Sequence, residues 1–174
     1  MTKALPEDEA ARVPDSAHEQ GLGHTIGRIS TLLSSGAISP GDRAGLRRMQ
    51  PGRQPPLVWY QFAVVAHLDA LGTNDWVTVV AGMALMGSRA HDVSTGFGTS
   101  LARSGYSALR LERLLSAEGQ TKRLLTLRSA RFLAAHNTST NWVQAATLLM
   151  AREPDKQDAI RERIATDFYR HTIN

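Results

Sequence analysis

SALRLERLLSAEGQTKRLLTLRSARF, residues 107–132 of a chain of 174, predicts two packed helices divided near Glu118 and Gly119. Its leucines give each helix an apolar face, and its cations outnumber its acids. These cations are Arg110, Arg113, Lys122, Arg123, Arg128 and Arg131. Two arginine pairs are spaced three residues apart, which puts both members on one helix face: Arg110 with Arg113, and Arg128 with Arg131. Such rows favour a scaffold that presents cations to a phosphate backbone.

The whole sequence predicts an all-α fold, a helical bundle of about eight to nine helices in two packed halves. Helix formers dominate, and no alternating runs of Val, Ile, Thr or Tyr stand between hairpin-type turns. The polar, glycine-containing residues 88–99 indicate a boundary between the halves. We therefore expect a flexible N-terminal tail over residues 1–19, an N-terminal helical half over 20–95 and a C-terminal helical half over 96–174.

A second basic stretch, GDRAGLRRMQPGR, covers residues 41–53. Ser39 is placed to cap its helix and Pro40 to occupy the first helical position. Its cations are Arg43, Arg47, Arg48 and Arg53, against the single acid Asp42. Arg28 lies beside the apolar stripe of an earlier helix, predicted over residues 21–36, and is a further candidate for the basic surface. The alternative is that these arginines are only the solvated faces of amphipathic helices.

Residues 57–71, LVWYQFAVVAHLDAL, are apolar nearly all round and predict a central buried helix. Its aromatic side chains are expected in the core, since a base-stacking surface interleaves aromatic with basic residues and this segment has no Lys or Arg. Residues 75–87 predict a second buried helix, and Phe97 an anchor from the following loop into the core.

The formal net charge is +4, and acids concentrate in residues 1–19, so the remainder is more basic than the total indicates. A basic body implies an acidic partner, most often nucleic acid. The chain has no cysteine, and its apolar runs are too short to span a membrane. We expect no membrane association and a cytoplasmic location.

Signals for catalysis are absent from the sequence. The six histidines lack metal-binding spacing, and no phosphate-binding loop, dinucleotide fingerprint or nucleophile elbow occurs. We expect a protein that is not an enzyme, with no catalytic residue, no metal and no cofactor. Distant carboxylates can still converge in the fold, so the missing motifs lower the case for an enzyme without removing it.

Sequence-specific DNA reading is also weakly supported. In a helix-turn-helix reading of residues 109–133, apolar residues would crowd the recognition helix, which normally offers short polar side chains and arginines. Phosphate contact without sequence choice fits the basic rows better.

Several short segments together resemble a known family, the CasB small subunit of the type I-E CRISPR surveillance complex Cascade. The resemblance covers about residues 20–174 and rests on the order and spacing of these segments: GDRAGLRRM (41–49), FGxxLA (97–102), LRLERLLSAEG (109–119), LRSARFL (127–133), NWVQAATLL (141–149) and IATDFYR (164–170). Family members often carry an acid before the tryptophan, where this chain has Asn141.

The resemblance implies a non-catalytic helical subunit that supports the guide RNA–target DNA heteroduplex and the displaced strand through non-specific backbone contacts. It implies partners as well: the backbone and large Cascade subunits, guide RNA, target DNA and a second copy of the chain. Base pairing would read the target, so the protein needs cations rather than base-reading side chains. The matching positions are Arg43, Arg47 and Arg48, then Arg110 and Arg113, then Arg128 and Arg131.

Two alternatives remain open at the level of sequence. The chain could be a structural adaptor whose arginines meet acidic protein surfaces or neighbouring helices inside the fold. A stand-alone sequence-specific regulator would need a recognition helix that the sequence does not supply.

Overall fold

The computed structural model describes residues 15–68 and 73–172, with side chains from residue 21 onward. Within these ranges the chain forms nine α-helices and no sheet, so the predicted all-α fold is confirmed. The helices are α1 (Asp15–Ser34), α2 (Pro40–Arg47), α3 (Leu57–Ala66), α4 (Thr73–Met86), α5 (Phe97–Arg103), α6 (Ala108–Ser116), α7 (Gly119–Ala135), α8 (Trp142–Met150) and α9 (Pro154–Thr172). A 3-10 turn, Gly87–Arg89, follows α4. No helix in the described ranges is long and apolar enough to cross a membrane.

Helix ends are set by local chemistry that the sequence displays. The Ser39 side chain accepts a hydrogen bond from the Asp42 amide, and Pro40 occupies the first helical position of α2, as predicted. The predicted division of the long basic stretch is confirmed: α6 ends at Ser116 and α7 begins at Gly119. Gly119 has φ +52°, a left-handed conformation that glycine adopts without strain.

The core is built around α4, which is buried continuously over residues 75–84. Helices α2, α7 and α8 pack against it. Trp142 at the start of α8 is fully buried, and its ring lies so close to the Gly82 backbone that a Cβ there would be 2.2 Å from the ring. The absence of a side chain at Gly82 therefore permits this packing.

Helix α5 lies against α9 at unusually short range. A Cβ on Gly98 would be 2.1 Å from the Ile164 carbonyl oxygen, so the two backbones approach as only glycine allows. Phe97 is 1% exposed, which confirms its predicted role as an anchor, and its amide donates to Gln144 Oε1 at 2.7 Å. In α9, Ile160, Ile164 and Phe168 are buried, whereas Tyr169 is exposed.

Helix α3 is not the central buried helix that its composition predicts, and that prediction was wrong. The helix buries Trp59, Phe62 and Ala66 against the bundle and leaves its opposite side in solvent. It ends at Ala66, with His67 in a left-handed conformation, well before the predicted end at residue 71. An apolar sequence shows that a segment avoids charge, but not that another element of the chain covers it.

Helix α1 begins at Asp15, inside the predicted tail and six residues before its predicted start. Residues 1–14 lie outside the described part of the chain, so the tail stays a prediction. The division into two halves likewise stays a prediction.

Candidate nucleic-acid interface

The arginine pair of α6 is exposed, and one of its members lies near an aromatic ring. Arg110 and Arg113 both face solvent, while Leu111 and Leu114 beside them in sequence are buried. The Arg110 guanidinium carbon lies 6.0 Å from the centroid of the Tyr106 ring, at the limit of a cation–π contact. The amphipathic spacing of α6 thus places both arginines on its solvent-exposed side, and the Tyr106 ring lies next to Arg110.

Tyr106 also joins this pair to the arginine pair of α7. Its hydroxyl lies 3.0 Å from Ser129 Oγ, and since Ser129 donates to the Leu125 carbonyl, the tyrosine hydroxyl is the donor. Its ring meets Phe132 edge-on at 5.1 Å between centroids. Ser129 and Phe132 directly follow the exposed residues Arg128 and Arg131 in sequence. The buried aromatic contact therefore sets the orientation of α6 against the part of α7 that carries the second pair.

The other two cations of α7 lie on its inner side. Arg123 Nε donates to Asp75 Oδ1 at 2.7 Å, and the Asp75 side chain is only 3% exposed. Lys122 is 8% exposed, and burial lowers its pKa, with a further lowering from the nearby charges of Arg161 and Arg152 that Glu118 partly opposes. Both residues were predicted to bind nucleic acid, and the fold places both toward its interior.

Asp75 has a second cationic partner that sequence reasoning missed. Arg152 Nη2 donates to Asp75 Oδ2 at 2.6 Å, and its Nη1 donates to the Leu149 carbonyl at 3.0 Å. Both carboxylate oxygens are thus paired, one from α7 and one from the link between α8 and α9. The residues are 77 positions apart, so no local pattern in the sequence could reveal this contact.

The basic stretch over residues 41–53 also contains both exposed and half-buried cations. Arg48 and Arg53 are exposed. Arg47 is exposed too, but its Nε donates to the Ala84 carbonyl at 2.9 Å and so joins α2 to the end of α4. Arg43 is half-buried, and its buried Nε has no hydrogen-bond partner among the described residues. Arg28 lies apart from these residues on α1, where its Nη2 is 3.3 Å from His24 Nε2.

The two basic stretches meet at one end. The Gln120 side chain, at the start of α7, donates to the Pro51 carbonyl, and the Gly52 amide donates to Asn74 Oδ1 at 3.0 Å. The turn that carries Arg53 is therefore held by hydrogen bonds to the first turns of α4 and α7. Both α2 and α7 pack on α4, which holds the two sets of arginines in a fixed relation.

Two exposed arginines near these sets were not predicted. Arg103 ends α5, directly before the turn that leads to Tyr106, and Arg89 lies in the 3-10 turn after α4. Arg103 could have been found from its position shortly before the basic stretch 107–132. Arg89 stands alone in a polar segment, and the sequence offers no signal for it.

His91 has a structural role at the start of α8. His91 Nδ1 accepts a hydrogen bond from the Trp142 amide at 3.2 Å. Burial lowers the His91 pKa, which the Thr140 backbone and the Asp92 charge oppose. The Asp92 pKa is lowered chiefly by hydrogen bonds from Ser94 and Thr95. No group of three or more His, Asp or Glu side chains in the described ranges could hold a metal ion.

The fold and these surfaces define an all-helical protein that carries exposed arginine pairs on adjoining helices. Its family is shown by sequence: the family model described as CRISPR-associated protein Cse2 matches residues 42–169, and the chain belongs to that family. The predicted resemblance to the small-subunit family is thereby confirmed.

A solved structure described as "CRISPR RNA-guided surveillance complex" has a similar fold. The TM-score is 0.67 at 20% sequence identity, over 89% of this chain and 95% of the other. A search of curated proteins found no match.

Proposed function

We propose that this chain is the non-catalytic small subunit of a type I-E CRISPR RNA-guided surveillance complex. In that complex it supports the guide RNA–target DNA heteroduplex and the displaced strand through non-specific backbone contacts. Its partners are the backbone and large subunits, the guide RNA, the target DNA and a second copy of the chain. Membership of the Cse2 family and the fold shared with a surveillance-complex chain support this proposal.

The observation that carries the nucleic-acid part is the joined pair of arginine rows on α6 and α7. Arg110, Arg113, Arg128 and Arg131 are all exposed, and the Tyr106–Ser129 and Tyr106–Phe132 contacts join the turn that precedes α6 to α7. Four arginines on a rigid support match a polyanionic backbone, because phosphate contacts need cations but no base-reading side chains. Arg48 and Arg53 extend the candidate surface, with Arg47 contributing the part of its guanidinium that does not bind Ala84.

Lys122 and Arg123 are left out of this proposed surface. The first is buried and the second is engaged with Asp75. Arg43, which is half-buried, and Arg28, which lies on α1, are secondary candidates whose contribution single substitutions would measure.

The test measures target-DNA affinity of the reconstituted complex over a range of salt concentrations. Replacing Arg110, Arg113, Arg128 and Arg131 by Ala should weaken binding and flatten the salt dependence by up to about 0.9 log–log units for each lost phosphate contact. Changing the base sequence of the displaced strand should have little effect. Arg163→Ala is the matched control, because Arg163 is also exposed but lies on α9.

An unchanged affinity and salt slope in the fourfold variant would contradict the proposal. The adaptor alternative would then stand, in which the chain joins protein subunits without touching nucleic acid. The outward apolar side of α3 is the observation that favours a protein-contact role, either alone or beside nucleic-acid binding.

A further inference from the structure

Helix α3 has an uncharged apolar face directed away from the bundle. Leu57, Tyr60, Val64 and Val65 are 84%, 50%, 76% and 56% exposed. With Gln61 they occupy positions i, i+3, i+4, i+7 and i+8, a continuous stripe along one side of a helix. We call these five residues the α3 outer face. Four of the eight exposed large hydrophobic side chains in the described residues lie on this helix of ten residues.

A groove lies directly beside the α3 outer face. It has a volume of about 310 Å³, and Leu32, Ile38, Val58, Phe62 and Val65 contribute apolar walls. Asp42 is exposed at the same groove, where its Oδ2 accepts a hydrogen bond from Ser39 Oγ at 2.7 Å. The surface therefore combines an apolar ridge, an apolar groove and one negative charge.

We propose that the α3 outer face docks against an amphipathic helix of a different protein subunit in the same complex. Aliphatic side chains of that helix, spaced i, i+3 or i+4 and i+7, pack against Leu57, Tyr60 and Val64, and one enters the groove. A Lys or Arg beside its apolar stripe meets Asp42. This inference rests on the proposed function, since it takes the partner from the surveillance complex.

The chemistry of the α3 outer face excludes nucleic acid and membranes as the molecule that it contacts. Residues 54–68 contain no Lys or Arg, so the face has nothing to pair with phosphate groups. The same lack of cations, in a helix of ten residues, is unlike the basic amphipathic helices that lie on membranes.

The charge of the face favours a different subunit over a second copy, because a two-fold contact would place this surface against itself and residues 54–68 have no Lys or Arg to pair with Asp42. The size of the face favours a contact within an assembly over a stand-alone pair. A stable binary interface contributes about 20–30 residues from each side. The α3 outer face and the adjoining groove together provide far fewer residues than that. Such a contact is effective where other contacts in the same complex hold the two proteins together, because the second contact then forms at high effective concentration.

The test compares Val64→Asp with Val93→Asp in cells that co-express the chain with the other complex subunits and the guide RNA. The two valines are 76% and 73% exposed, so the variants differ in location and not in burial. Val64→Asp should reduce incorporation into the purified complex at least tenfold, measured by native mass spectrometry, and Val93→Asp should not reduce it. Leu57→Ser, at the most exposed position, should reproduce the loss, and circular dichroism should show unchanged helix content in all three variants.

A photo-crosslinking residue in place of Tyr60 then identifies the occupant in the assembled complex. A crosslink to an apolar helical segment of a different subunit supports the inference. A crosslink to a second copy, to residues 1–14 or 69–72 of the same chain, or to RNA overturns it, as does normal incorporation of Val64→Asp.

The outcomes separate this inference from the proposed function. If the wild-type chain does not join the complex, both fall. If Val64→Asp and wild type join equally and the fourfold arginine variant still loses DNA binding, only the docking inference falls.

Discussion

Arg123 Nε lies 2.7 Å from Asp75 Oδ1, and this ion pair divides the cations of α7 into two groups. Arg123 is drawn inward to a carboxylate that is 3% exposed, together with Arg152. Arg128 and Arg131, one and two turns farther along, face solvent. A single basic helix thus uses one arginine to hold the bundle and presents two others outward.

Arg123→Ala should lower the free energy of unfolding by about 2–3 kcal/mol, because it leaves a buried carboxylate with only one of its two partners. The cost stays below that of a fully buried pair, since Arg152 remains and is itself well exposed. Arg128→Ala on the same helix should change stability by less than about 0.5 kcal/mol. Urea unfolding followed by circular dichroism measures the stability of both variants. Equal losses of stability would contradict the assignment of a structural role to Arg123 and a surface position to Arg128.

Lys122→Met should raise the free energy of unfolding by up to about 1 kcal/mol. Burial lowers the pKa of the Lys122 ammonium, and the charges of Arg161 and Arg152 lower it further against the opposing effect of Glu118 and Asp75. A thioether of similar length avoids the cost of burying this charge. Lys156→Met is the control, because Lys156 is 41% exposed and pairs with Glu153 at 3.6 Å. A destabilised Lys122→Met protein would show instead that the ammonium has a favourable role.

The sequence predicted most of the helices because their boundaries depend on neighbouring residues. Ser39 and Pro40 specify the start of α2, and Gly119 separates α6 from α7, through chemistry within one turn of the chain. The burial of Phe97 and of α4 also followed from local apolar content.

Burial of α3 was predicted wrongly because exposure depends on which elements lie nearby. Its residues are apolar all round, and periodicity then carries no information about the side that the bundle covers. The roles of the α7 cations were hidden for the same reason. Arg123 and Asp75 are 48 positions apart, so their ion pair is a product of the fold.

Lys122 is an exception, because the sequence does contain a signal for its burial. It shares a helix face with Thr126, Ser129 and Leu133, all of which are buried. That spacing of four, seven and eleven residues marks the inner side of α7. A helical projection of residues 119–135 is therefore enough to separate Lys122 from the outward pair on the same helix.

Gly98→Ala should lower the free energy of unfolding by at least about 2–3 kcal/mol, since the new Cβ would lie 2.1 Å from the Ile164 carbonyl oxygen and 2.9 Å from the Phe168 amide nitrogen. Neither backbone atom can move without separating α5 from α9. Gly27→Ala is the control: a Cβ there meets no atom within 4 Å, and the substitution should stabilise α1 by about 0.5–1 kcal/mol. Thermal melts should therefore shift in opposite directions, and a Gly98→Ala protein that melts like wild type would contradict the close approach.

The His91 contact with α8 should make the stability of the fold depend on pH in a defined direction. Burial lowers the His91 pKa from its ordinary value of 6.5, so the unfolded chain binds a proton more readily than the folded chain. Acidification below about pH 6.5 therefore favours unfolding, since protonation of Nδ1 would abolish its acceptance of the Trp142 amide proton. Asp92 stays ionised over this range because its pKa is lowered by Ser94 and Thr95.

His91→Asn tests this directly, because its side-chain oxygen can replace Nδ1 as acceptor but does not titrate. Unfolding free energies at pH 7.5 and pH 5.5 should differ less in His91→Asn than in wild type. His91→Ala, which leaves the Trp142 amide without its partner, should cost about 1–2 kcal/mol at pH 7.5. The same loss of stability on acidification in wild type and His91→Asn would assign the pH dependence to other groups.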